Sequence, residues 1–122
     1  MNKKLLYTIG LIILAVILAV LYLYKPPSVA NSKFDDFAKC LALKNITMYG
    51  AEWCSHCKNE KNAFEGSFKY VPYVECPDEP KACLDKGVNA YPTWIFPDDR
   101  KFVGEQGLEK LSQESGCPLP IK

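Results

Sequence analysis

Three hydrophobic patterns follow one another along the chain. From Leu5 to Tyr24 the residues are almost all apolar and none is charged, a run of roughly twenty that as a helix matches the hydrocarbon core of a bilayer. Lys25-Pro26-Pro27-Ser28-Val29-Ala30-Asn31 breaks it, because consecutive prolines remove backbone donors and impose extended geometry. The third pattern is a succession of short periodic segments. Phe34, Phe37, Ala38 and Leu41 recur at helical spacing, with Cys40 near that face, Ser32-Lys33-Phe34-Asp35 as a capping box before them and Asn45 as the stop. Ile46 to Gly50 predicts a strand, Cys54 to about Glu65 a helix stopped by Gly66, and Tyr73 to Cys76 a second strand with Pro72 at its start. Asp78 to Lys86 predicts a short helix ended by Gly87. Thr93 to Phe96 and Lys101 to Val103 form a hairpin about Pro97-Asp98-Asp99, and Leu108 to Ser115 is a last helix with Gly116 as its C-cap. The order α-β-α-β-α-β-β-α predicts an α/β domain, a small sheet covered by helices on both faces.

Composition adds a compartment. The 122 residues carry a net charge of +1 with acidic and basic side chains mixed, so no basic stripe points to nucleic acid. Six cysteines are many for a cytosolic chain of this size and are easier to place where disulfides persist. Lys3 and Lys4 with the amino terminus outweigh Lys25, so the positive-inside rule predicts a single-pass signal-anchor in the cell membrane, N-terminus cytoplasmic and domain extracytoplasmic. A cleaved signal peptide is the alternative, since Ser28-Val29-Ala30 fits a small-x-small site, but the apolar run exceeds the usual h-region. The expected organisation is an anchor over residues 1–25, a linker over 26–32, a domain over 33–117 and a tail over 118–122.

The candidate chemistry lies in Trp53-Cys54-Ser55-His56-Cys57, a C-x-x-C pair where a strand feeds a helix. The thiolate is the attacking species in disulfide exchange, and a free cysteine is mostly protonated at neutral pH. Cys54, at the first turn of a helix, faces unpaired backbone N–H groups and the positive end of the dipole, both of which favour an anion. His56, the only histidine, would when protonated favour it further. Stabilising the reduced form makes the disulfide a stronger oxidant, which leans the pair towards oxidation or isomerisation. Cys57, one turn in, is the expected resolving thiol. Half a zinc site is the bland alternative, but Cys76 and Cys83 are spaced too widely for a second knuckle. No metal and no cofactor beyond the redox-active disulfide is expected. A purely structural Cys54–Cys57 disulfide and a non-redox tethered binding domain are further alternatives. Trp94, Phe96, Phe102 and Met48 read as core. The other four cysteines allow three pairings. A local Cys76–Cys83 staple with Cys40–Cys117 tying the first helix to the tail is one, and a redox relay through one of them is its rival.

These residues also carry a resemblance. Trp53-Cys54-Ser55-His56-Cys57 followed by Tyr91-Pro92-Thr93 resembles the thioredoxin superfamily. Phe37-Ala38-Lys39-Cys40-Leu41, Met48-Tyr49-Gly50-Ala51, Phe68 to Cys76, Tyr91-Pro92-Thr93-Trp94 and Leu108-Glu109-Lys110-Leu111 resemble the thioredoxin-like domain often fused to bacterial vitamin K epoxide reductase homologues. The resemblance implies a thioredoxin-like fold with a mixed four-stranded sheet, a cis Pro92 opposite the dithiol, and a Tyr91 backbone able to pair with an extended substrate. It implies protein thiols and disulfides as substrates, with a quinone-linked membrane oxidase as partner. The four-helix domain of those fusions has no counterpart in this sequence, so such a partner would act in trans. A reducing or electron-relay module serving membrane redox proteins is the competing function. Many thioredoxins place a buried carboxylate where this chain has Met48. Proton transfer must then use water, Glu52 or another acid.

Overall fold

The computed structural model describes residues 2–24 and 32–121, which form two units. The linker and the Ser28-Val29-Ala30 cleavage site read from the sequence lie outside the described residues, apart from Ser32. The first unit is one helix, α1 (Lys3–Leu23), with no buried residue. Its 21 residues extend about 31 Å at the helical rise, and its mean hydropathy reaches 2.7. It is long and apolar enough to cross a membrane.

The second unit runs α2 (Asp35–Leu43), β1 (Thr47–Gly50), α3 (Ser55–Ala63), a 3-10 turn (Ser67–Tyr70), β2 (Tyr73–Glu75), α4 (Pro80–Asp85), β3 (Thr93–Ile95), β4 (Lys101–Val103) and α5 (Gly107–Ser115). The strands form one sheet in the order β2-β1-β3-β4. β1 pairs parallel with β2 and antiparallel with β3, and β3 pairs antiparallel with β4. Pro72 precedes an edge strand, where its missing donor costs no ladder bond. Parallel pairing of β1 with β2 needs a crossover, and α3 with the 3-10 turn supplies it. This is the thioredoxin-like fold.

Alternation along β1 divides the core in two. Met48 joins Trp94, Phe37, Leu41, Phe64 and Leu111 in a large cluster, while Tyr49 joins Ile95, Val88, Cys76 and Cys83 in a smaller one. Trp94 is fully buried, with Phe64 stacked on it at 6.2 Å and Phe37 on Phe64 at 5.8 Å. Each such side chain contributes about 1.5–3 kcal/mol by leaving water. Phe96 is buried and Phe102 half-buried beside it at 5.2 Å.

Two expectations about helix ends are corrected. The capping box at Ser32 does not form: the N-cap of α2 is Phe34 with no side-chain cap, and Ser32 offers only its carbonyl, to Asp35 N–H at 3.0 Å. Asp35 turns inward instead, where its Oδ1 accepts the Ser67 hydroxyl at 2.7 Å, and the 3-10 turn that brings Ser67 there had no signature in the pattern. The helix expected over Cys54 to Glu65 is shorter, because Cys54 is its N-cap and Glu65 already adopts φ 49°. At Asn45 (φ 54°) and Gly116 (φ 71°) the left-handed conformations end α2 and α5 where the sequence places the stops. The α5 terminus also receives Lys44 Nζ on the Ser115 carbonyl at 2.5 Å.

Candidate functional site

The chain leaves β1 at Gly50, turns through Ala51-Glu52-Trp53, and enters α3 with Cys54 in extended geometry (φ −76°, ψ 118°). That places the Cys54 sulfur over the first turn of α3, where it accepts the Cys57 backbone N–H at 3.2 Å. A helix terminus leaves such N–H groups without intrahelical partners. Here sulfur takes the place of the usual capping oxygen. Cys54 is 8% exposed and Cys57 is 0% exposed. Both are free thiols. Burial, and then the interaction with Cys54, push the Cys57 thiol up from an ordinary 9.0 to about 11.

Opposite the dithiol, the Tyr91-Pro92 bond is cis and Pro92 is fully buried. The Tyr91 carbonyl lies 3.8 Å from Cys54 Sγ, within reach of a thiol donor. Trp53 stands 71% exposed beside Cys54, edge-on to the Tyr91 ring at 6.0 Å. The structure therefore brings Cys54, Cys57, Trp53, Tyr91 and Pro92 to one place.

His56 is also here, with a partner the sequence did not disclose. Its Nδ1 lies 2.5 Å from Glu105 Oε1, which also accepts Asn59 Nδ2 at 3.0 Å. His56, and then Asn59, hold the Glu105 carboxyl below the usual carboxylate range. Any proton on His56 is thus shared with a carboxylate, and its field at the Cys54 sulfur is weaker than that of an isolated cation. Glu105 is presented by its neighbours: buried Glu60, on α3, accepts Trp94 Nε1 at 2.9 Å, Gln106 N–H at 3.2 Å and Gly107 N–H at 3.3 Å. Glu60 thereby ties the dithiol helix to the start of α5.

Beneath Cys57 is a second group that sequence reading passed over. In the β1–β2 register Met48 faces Tyr73 and Gly50 faces Glu75. Tyr73 donates its hydroxyl to Glu75 Oε2, while Glu75 Oε1 accepts the Glu52 backbone N–H at 2.8 Å. Glu52, the acid named from the sequence, is exposed and contributes its backbone, while half-buried Glu75 is the carboxylate that pairs with Tyr73. Burial, and then the bond to Glu75, raise the Tyr73 phenol well above its ordinary value. Strand alternation could have placed Tyr73 and Glu75 on one face. Their facing Met48 and Gly50 required the register.

The remaining cysteines are paired. Cys40 joins Cys117 with Cα atoms 5.8 Å apart, and Cys76 joins Cys83 at 5.7 Å. Their loops of 77 and 7 residues correspond to about 4 and about 2 kcal/mol of stabilisation in the chain-entropy model. These pairings occupy the sulfurs a second zinc knuckle would need, and His56 is turned to Glu105.

Comparison with known proteins places this geometry among relatives. No family model matches the chain. It is 40% identical over 91 residues, 67% of its length, to a thiol-disulfide oxidoreductase of Arabidopsis thaliana, of which it covers 24%. It is 36% identical over 73 residues, 54% of its length, to a protein disulfide-isomerase of Aspergillus oryzae, of which it covers 14%. The chain thus spans a quarter or less of the curated relatives it matches. Among solved structures, Fasciola hepatica thioredoxin is similar at a TM-score of 0.47 and 24% identity, over 58% of this chain and 76% of that one. Nicotiana alata thioredoxin is similar at 0.45 and 20%, over 57% and 67%. With its sheet order, its capped Cys54-Ser55-His56-Cys57 dithiol and its cis Pro92, the domain is thioredoxin-like.

Proposed function

We propose that this chain is a membrane-anchored thiol–disulfide oxidoreductase in which Cys54 and Cys57 carry the exchange. The observation that carries the reading is the asymmetry of the pair: Cys54 caps α3 with its sulfur beside exposed Trp53, while Cys57 lies buried below it. The similarity to proteins named thiol-disulfide oxidoreductase and protein disulfide-isomerase supports it. In the oxidising direction a substrate thiolate attacks Cys54 Sγ of the disulfide, the Cys54–Cys57 bond breaks, and Cys57 departs with the electron pair and takes a proton. A second substrate thiolate then attacks the substrate sulfur of the mixed disulfide, releasing Cys54 as a thiolate. The two sulfurs suffice for this, with no bound cofactor. The substrates in this reading are thiols of exported proteins. α1 anchors the domain, Lys3 and Lys4 keep the N-terminus in the cytoplasm, and a quinone-linked membrane oxidase of the vitamin K epoxide reductase type reoxidises the dithiol.

The reducing or electron-relay reading keeps one specific support, the Glu105 carboxylate against His56, which offsets the cation that would make the disulfide oxidising. The reduction potential of Cys54–Cys57 in the full chain, equilibrated with glutathione, separates the two. A value towards −120 mV supports the oxidase, and one near −270 mV supports the reductase. Glu105→Gln should raise the potential by roughly 10–30 mV by removing the negative charge beside His56. An unchanged potential would remove His56 from the electrostatics of the pair.

A further inference from the structure

Cys57 presents a chemical problem that the residues around it address. As the resolving thiol it must lose a proton before attacking a mixed disulfide at Cys54, yet it is fully buried. Burial pushes its thiol to about 11, so at neutral pH solvent neither reaches the proton nor favours its loss. Met48, on the strand beside it, has no titratable group.

The groups facing Cys57 can be named. From α3 come Cys54 and the Lys61 ammonium, which sits 3.7 Å above the Tyr73 ring centroid and, being charged, cannot accept a proton. From β2 come Tyr73 and Glu75. A Cβ on Gly50 would lie 2.9 Å from Cys57 Sγ, 3.3 Å from Tyr73 Cε2 and 3.4 Å from Tyr73 Oη. The missing side chain of Gly50 therefore leaves one small space into which both the sulfur and the phenol oxygen project. The phenol hydrogen is committed to Glu75 Oε2, which turns the lone pairs of Oη towards other partners. Glu75 is half-buried and held in place by the Glu52 N–H, so its carboxylate meets solvent on one side and Tyr73 on the other.

We propose that Tyr73 and Glu75 form the proton relay of Cys57, taking the place of the buried acid that Met48 cannot supply. The proposal rests on the dithiol reading above. In the resolving step the Cys57 thiol gives its proton to Tyr73 Oη, directly or through one water, as the phenol passes its own to the Glu75 carboxylate and Glu75 releases one to solvent. The Cys57 thiolate then attacks Cys54 Sγ. The Cys54–Cys57 bond forms, the bond from Cys54 to the substrate sulfur breaks, and the substrate leaves as a thiolate with the electron pair. In the reverse direction the departing Cys57 thiolate receives a proton along the same path. Tyr73 stays a phenol at both ends of the transfer, which its raised ionisation requires.

The test uses the full chain in detergent micelles, reduced at Cys54 and Cys57 alone, mixed with one equivalent of 5,5′-dithiobis(2-nitrobenzoate). The first burst of thionitrobenzoate reports attack by Cys54, and the second reports Cys57 resolving the mixed disulfide. In Tyr73→Phe and Glu75→Gln the second burst should slow, relative to the first, by about tenfold or more at pH 7, within the usual reach of general acid–base catalysis. Its rate should then rise about tenfold per pH unit, as unassisted thiol ionisation demands, so that the gap to wild type narrows towards pH 9.5. Tyr73→Phe keeps the ring packing, and an unaltered first burst in the same trace reports an intact site. An unslowed second burst, or one slowed by the same factor at every pH, overturns the relay. A wild type that shows no second burst overturns the dithiol reading itself.

Discussion

Cys54 and Cys57 stand three residues apart on one turn of helix and are chemically opposite. Cys54 sits outside the helix as its N-cap, in contact with a backbone N–H, beside an exposed tryptophan and a carbonyl. Cys57 is inside the helix, without exposed surface, over the Gly50 gap. The same sequence motif therefore yields one sulfur that keeps 8% exposure and one with none. The difference comes from helix geometry: a residue three positions past the N-cap projects from the same side one turn deeper, into the sheet that α3 covers. A dithiol built this way is asymmetric, and the proposed exchange therefore enters at Cys54.

The sharpest way to break that comparison is to remove each sulfur in turn. Cys54→Ser should abolish exchange with protein thiols, because Cys57, the other free thiol among the described residues, has no exposed surface. Cys57→Ser should instead accumulate mixed disulfides at Cys54, seen as stable added mass on nonreducing mass spectrometry of protein recovered from cells. Equal trapping by both variants would remove the assigned order of attack.

Next in size is Gly50→Ala. The added methyl would sit 2.9 Å from Cys57 Sγ and 3.3 Å from the Tyr73 ring, and overpacking of this kind typically costs about 1–3 kcal/mol. Urea unfolding should show a lower midpoint in the reduced protein, and Cys57 alkylation should quicken as the sulfur is displaced. A wild-type midpoint with wild-type alkylation would mean that the gap beneath Cys57 is not tightly packed.

The smallest effect is a pH dependence. The folded reduced protein holds Cys57 protonated up to about 11, against 9.0 for the ordinary thiol. The unfolded chain therefore binds fewer protons than the native one between these values, and the stability of the reduced form falls as pH rises from about 9 to about 11. The oxidised form has no thiol there. Burial and Glu75, the leading causes of the raised Tyr73 phenol, do not involve the thiols, so most of its contribution drops out of the difference. The melting temperature of reduced minus oxidised protein should decline across that window, and a flat difference would mean that Cys57 is not held protonated by burial.

Much of this was legible from sequence because it is local. The Cys54-Ser55-His56-Cys57 motif, the stops at Asn45 and Gly116, the apolar run of α1 and the apolar face of α2 each depend on residues within a few positions. Even the helix start was nearly right, missed by one residue because the sulfur of Cys54 does the capping. The errors and omissions are of another kind. Ser32 lost its capping role because Asp35 found Ser67. His56 acquired Glu105, and Glu60 acquired Trp94, Gln106 and Gly107. Each of these contacts spans between 32 and 49 residues of sequence, where no periodicity extends.

By itself the sequence determined the dithiol, the order of helices and strands, and a helix long enough to span a bilayer, since spacing, turn residues and hydropathy act within a few positions. The tertiary structure alone decided what surrounds the two sulfurs. Only the parallel register of β1 against β2 sets Tyr73 beside Met48 and Glu75 beside Gly50, and a shift of one residue would turn both to the opposite face. Register is settled by the packing of whole faces at once, and through it Tyr73, with its hydroxyl on Glu75, reaches the Gly50 gap beside Cys57.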